Sequence, residues 1–170
     1  MNMFFKYFLF FIFLFFGKIF SFAQSMKVPI AVVRIGDLKS PILSSVAVPK
    51  DKAFLFTSGL VPSIQDSTAT VGQRNRYGDT KIQAISTLKN IEEVLLKEGL
   101  SLKDVIFLRA YVAIDKFKDN KADFIGWNEA YGMFFNNEQN TIKTARATLG
   151  VHSLVNPDWL IEIEAIAVYP

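Results

Sequence analysis

The hydrophobic positions of this chain change period several times, and each change marks an element. Ile82, Ile85, Leu88, Ile91 and Leu95 recur at helical spacing, with Thr80 and Gln83 forming a capping-box pattern before them and Gly99 supplying a stop. From Asp104 to Ile114 the chain is apolar along most of its length, as a central strand covered on both faces should be. A second helix is predicted from Asn120 to Phe135, burying Phe124, Tyr131 and Phe134 or Phe135. Short β-prone runs at Val28 to Val33, Ser44 to Val48 and Ala53 to Ser58 predict a first hairpin or small sheet. Two further strands, Thr141 to Gly150 and Trp159 to Tyr169, close the chain. Between them, Pro62 to Tyr77 is polar and aperiodic and reads as a long loop. The order is β-β-α-β-α-β-β, an α+β domain with a mixed sheet and both helices on one face. The other face also needs cover, and a second copy of the chain is the simplest way to provide it.

The first stretch stands outside this pattern. Phe8 to Phe16 is an unbroken apolar run behind Lys6, and Ser21-Phe22-Ala23 has small residues where a signal peptidase needs them. Residues 1–23 read as a secretory signal peptide cleaved after Ala23, too short in its apolar core for an ordinary membrane span. The expectation is an exported protein, periplasmic or secreted, without stable membrane insertion. Residues 24–43 then form an extension with the first short strand, and 44–170 the main domain. Ten of the 17 phenylalanines lie in the leader, so mean hydropathy overstates how apolar the remainder is. Losing Lys6 and Lys18 brings the formal net charge from +3 to about +1, which removes any electrostatic case for nucleic acid. With no cysteine and only His152, a transition-metal site is not expected. Stability must come from packing or oligomerisation.

The chemistry concentrates near the C-terminus. Arg146 lies in Thr144-Ala145-Arg146-Ala147, and the final apolar strand carries Glu162 and Glu164 two residues apart. Alternation puts Ile161, Ile163, Ala165 and Ala167 on one face and both glutamates on the other. Neighbouring carboxylates on a half-apolar face raise each other's pKa unless a cation is close, and Arg146 is the natural candidate for that cation. The same residues fit a plainer reading, in which Arg146 is a structural ion pair and Glu162 its counter-ion. Glu164 is taken as structural, His152 as non-catalytic, and Trp127, Tyr131, Phe134 and Phe135 as core. Lys116 to Lys121 reads as a solvated approach to the second helix.

An ordered set of residues resembles the Rid (YjgF) family of reactive-intermediate deaminases. It runs from Ser44 through Phe56-Thr57-Ser58-Gly59, Gly78-Asp79 with Gln83, Asn90-Ile91, Gly99 and Asp104-Val105. It continues through Asp123-Phe124, Trp127-Asn128, Tyr131 and Ala145-Arg146 to Glu162-Ile163-Glu164-Ala165-Ile166-Ala167. The resemblance implies a chorismate-mutase-like fold, a homotrimer with clefts between subunits, and cofactor-free hydrolysis of enamines and imines such as 2-aminoacrylate to 2-keto acids and ammonia. It further implies that Arg146 grips the substrate carboxylate, that Glu162 handles the attacking water, and that Asn128 and Ser58 face the cleft. Two positions depart from the family pattern. Ser40-Pro41-Ile42-Leu43 stands where the family usually has a tyrosine after a Gly-Pro pair, leaving Tyr77 as a candidate substitute, and Thr144 replaces the usual proline. The missing tyrosine and the export signal support an alternative, a non-catalytic trimer that binds a small carboxylate or other metabolite in the same cleft. A ribonuclease reading is disfavoured by the near-neutral charge and the lack of a histidine pair.

Overall fold

A computed structural model describes residues 28–170, so the expected leader lies outside the described residues. The strands are β1 (Val33–Ile35), β2 (Ser45–Ala47), β3 (Phe54–Phe56), β4 (Val105–Asp115), β5 (Lys121–Ala122), β6 (Ala145–Val151) and β7 (Ile161–Val168). The helices are α1 (Thr80–Lys97), between β3 and β4, and α2 (Phe124–Phe134), between β5 and β6. β1 and β2 form a small antiparallel sheet of their own. In the main sheet, β7 lies antiparallel between β3 and β4, while β6 runs parallel along the other edge of β4. β5 pairs only the last two residues of β4. This mixed sheet with two helices is the expected α+β, chorismate-mutase-like architecture.

One face of the sheet carries the core. Leu108, Ala110 and Val112 of β4 and Ile161, Ile163 and Ala165 of β7 pack with Leu88, Ile91 and Leu95 of α1 and Trp127, Tyr131 and Phe135 from α2 and its C-cap. Each full burial of such a side chain contributes about 1.5–3 kcal/mol, which is what holds short helices to the sheet. The opposite face displays Phe54 and Phe56, which are 44% and 68% exposed, together with an Arg109–Glu164 ion pair at 2.7 Å.

Helix starts differ from the sequence reading in instructive ways. α1 is capped by Asp79, whose carboxylate accepts from the Ile82 N–H at 2.9 Å, and Thr80 is fully buried. The expected Thr80 and Gln83 capping box is not formed, because Gln83 is used elsewhere. Its amide donates to the carbonyls of Gly78 and Asp158 and accepts from the Leu160 N–H, tying α1 to the segment entering β7. Gly99 does end the helix, with φ at +72°, a conformation costly for other residues. α2 begins at Phe124, four residues later than predicted, with Asp123 as its cap. The charged run before it turns sharply through Asp119 and Asn120, both at φ 54°, so that Lys121 and Ala122 can pair with β4. Phe124 is exposed rather than buried. The long polar loop is pinned down: Arg76 donates to the Ala69 carbonyl, and Arg74 reaches the buried Asp115 at 2.7 Å.

Candidate functional site

Arg146 is placed by β6. Its parallel register with β4 sets Arg146 against Leu108, a fully buried residue, so the arginine faces the helices. Three alternate residues of β6 and its approach are fastened to α2 in the same way. Tyr131 exchanges hydrogen bonds with the backbone and hydroxyl of Thr144 at 3.2 Å, and Trp127 Nε1 donates to Thr148 Oγ1 at 3.1 Å. Between them the Arg146 guanidinium lies 4.6 Å from the Tyr131 ring centroid and 5.2 Å from that of Trp127. One guanidinium nitrogen donates to Asn128 Oδ1 at 2.7 Å; the other terminal nitrogen is buried and has no partner among the described residues. Burial lowers the guanidinium pKa below its ordinary value, with Tyr131 pulling the other way. An arginine does not lose its proton in a protein, so the cost of burial is met by cation–π contact and by whatever acceptor reaches the free nitrogen. A planar carboxylate fits that edge.

Glu162 lies on the other face. It pairs in register with Tyr111 of β4, and Glu164 pairs with Arg109. The sheet therefore supplies Arg109, not Arg146, as the cation for Glu164, because β4 stands between β6 and β7 and alternation sends Arg146 to the far side. The predicted pairing of Arg146 with the two glutamates is not formed. Glu162 is half-buried and has no hydrogen-bond or ion-pair partner among the described residues. Its room comes from an irregularity in the chain after β3. Thr57 pairs with Ala165 and Leu60 with Ile163, so Ser58 and Gly59 together oppose a single residue, Glu164. The carboxylate of Glu162 rests on Gly59, where an added Cβ would sit 1.9 Å from Oε1. Ser58 is exposed in that bulge.

The four candidate residues thus fall into two half-sites. Arg146 and Asn128 share the helix side, and Glu162 lies beside the Ser58–Gly59 bulge on the open side. The two sets stand two strands, about 10 Å, apart across the sheet and on opposite faces. Tyr77 joins neither half, since it lines a separate cavity with Arg74 and Asp115. The Tyr131 hydroxyl is engaged by Thr144 and the Pro41 carbonyl. Sequence reasoning missed Trp127 and Tyr131 as the platform for Arg146, Gly59 as the seat of Glu162, and Arg109 as the partner of Glu164. The i, i+4 spacing of the two rings on α2 was a visible signal for the first.

The family model described as Endoribonuclease L-PSP matches residues 41–169. A RutC family protein of Pyrococcus horikoshii is 39% identical over 114 residues, covering 67% of this chain and 78% of that protein. The chain belongs to the Rid family. A 2-iminobutanoate/2-iminopropanoate deaminase of Salmonella typhimurium is 33% identical to this Rid protein over 116 residues, covering 68% of the chain and 80% of the relative. Among solved structures, the Rid family protein YyfB of Yersinia pestis matches with a TM-score of 0.60 at 26% identity, covering 81% and 98% of the two chains. Escherichia coli TdcF with bound serine matches with a TM-score of 0.53 at 28% identity, covering 82% and 98%.

Proposed function

We propose that this Rid protein hydrolyses small 2-imino and enamine carboxylic acids to 2-keto acids and ammonia. The observation that carries this reading is the buried, unpartnered nitrogen of Arg146, held against two rings beside Asn128. A 2-imino acid is small and planar and carries its carboxylate next to the reacting carbon, so a fixed guanidinium edge orients the C=N bond as well as binding the charge. Water adds to C2 while Glu162 takes its proton. Glu162 passes that proton to nitrogen, giving a carbinolamine; the proton of the new C2 hydroxyl then moves to the amine, the C–N bond breaks, and ammonia leaves as the C=O forms. An enamine first gains a proton at C3 to become the imine. Water is the only co-reactant, so the reaction needs no cofactor.

Opposite faces of one sheet cannot reach one small substrate, and the assembly proposed here resolves this. Arg146 and Asn128 of one copy meet Glu162 and Ser58 of a neighbour in a homotrimer, with the exposed Phe54 and Phe56 face turned inward. The leader read in residues 1–23 would put this activity outside the cytoplasm. A non-catalytic carboxylate-binding reading is favoured by one feature: the hydroxyl of Tyr131, whose ring lies against Arg146, is already engaged, and Ile42 supplies none. Ammonia release on imino acids generated in place by an amino-acid oxidase separates the two. Turnover that disappears in Arg146→Ala is the expected result, and an inert wild-type protein that still binds the carboxylate would replace catalysis with binding.

A further inference from the structure

Away from both half-sites, the far end of β4 borders an open cavity of about 190 Å³, lined also by the Arg74 loop, the start of α1 and the segment before β7. At ~30 Å³ per water this is space for roughly six waters, the size of a small metabolite. Its charges are unevenly used. Asp115 accepts from Arg74 at 2.7 Å with one oxygen and from the Phe117 N–H at 2.9 Å with the other. Asp158 accepts from the Gly72 N–H at 2.8 Å. The cations are not saturated. Arg74 gives only one nitrogen to Asp115, and Lys116 gives one hydrogen, to the Gly72 carbonyl at 2.9 Å. Both sit against one ring, Arg74 at 5.0 Å and Lys116 at 5.2 Å from the Phe117 centroid. Two further side chains border the same space: Tyr77, whose hydroxyl has no partner among the described residues, and Trp159, whose indole N–H is buried beside it without an acceptor.

We propose that this cavity is a second ligand site, taking a small monocarboxylate with a flat apolar body. Both acids already accept hydrogen bonds, while Arg74, Lys116 and the Tyr77 hydroxyl keep free hydrogens that a carboxylate can take. Asp115 and Asp158 offset the charge of Arg74 and Lys116, which disfavours a phosphate dianion and leaves the free hydrogens of the two cations to hold a single carboxylate. The walls contributed by Tyr77, Phe117 and Trp159 suit a planar body. Arg146 does not border the cavity, so the site binds independently of it.

The chain has two tryptophans, and each reports one site: Trp127 lies under Arg146, and Trp159 borders this cavity. Benzoate titrated into the ¹⁵N-labelled Arg146→Ala variant should move the Trp159 indole signal saturably and leave that of Trp127 in place. The exposed Lys116, changed to Met in the same background, should weaken that response about tenfold without unfolding the protein. A Trp159 signal that stays still under benzoate, or a response unchanged by Lys116→Met, overturns the proposal. Because the titration is done without Arg146, its failure is separate from any failure of the deaminase reading.

Discussion

Arg109 and Arg146 stand on adjacent strands, yet they have opposite surroundings. Arg109 points to the open face, reaches Glu164 at 2.7 Å, and has its pKa raised by Tyr111 and Glu164. Arg146 points to the helices, pairs with no carboxylate among the described residues, and has its pKa lowered by burial. One strand of offset separates a cation already satisfied from one that is not. Which face a side chain takes, more than which residue it is, decides whether it can hold a ligand.

The comparison breaks most strongly at Arg146. Replacing it with Ala should lower kcat/KM on imino acids by on the order of 10²–10³-fold while the fold survives, and Arg146→Lys should restore little, because an ammonium lacks the planar edge. Arg109→Ala, corrected for assembled protein, should leave the same constant within about threefold, since an exposed pair contributes only ~0–1 kcal/mol. Next is Glu162→Gln, expected to lower kcat on the order of 10²-fold with little change in substrate affinity, read from steady-state kinetics. Gly59→Ala should displace the Glu162 carboxylate, lowering kcat about tenfold and stability by about 1–3 kcal/mol in denaturant unfolding. The smallest effect concerns acid. Burial raises the Asp123 pKa, but Lys118 and the Gly126 N–H outweigh it and hold the group below its ordinary value. A depressed folded pKa gives stability present above the unfolded value near 3.9 and lost as pH falls through the folded one. Asp123→Asn should therefore flatten the acid limb of the unfolding curve, checked by circular dichroism below about pH 4.

The elements of the fold were legible because they rest on periodicity. Leu88, Ile91 and Leu95 of the α1 run and the alternation of Ile161, Ile163 and Ala165 appear where the pattern puts them, while Ile82 at the start of the run is exposed. The strand and helix ends were less so, since Asp79 rather than Thr80 caps α1 and a tight turn at Asp119 and Asn120 delays α2. The resemblance picked out Arg146, Asn128, Glu162 and Ser58 individually. Their arrangement was hidden, because it depends on the order of strands in space: β4 lies between β6 and β7, and that insertion sends Arg146 and Glu162 to opposite faces. Gly59 was hidden for a similar reason, as only the bulge brings it under the glutamate.

The central claim is that a working site joins Arg146 of one copy to Glu162 of another, and mixing tests it most directly. Arg146→Ala and Glu162→Gln proteins, each inactive alone, should be unfolded together in equal amounts, refolded and assayed for ammonia release. Random assembly should leave about one quarter of the clefts with both native residues and return about one quarter of wild-type activity. A mixture as inactive as its parents would contradict a site shared between copies.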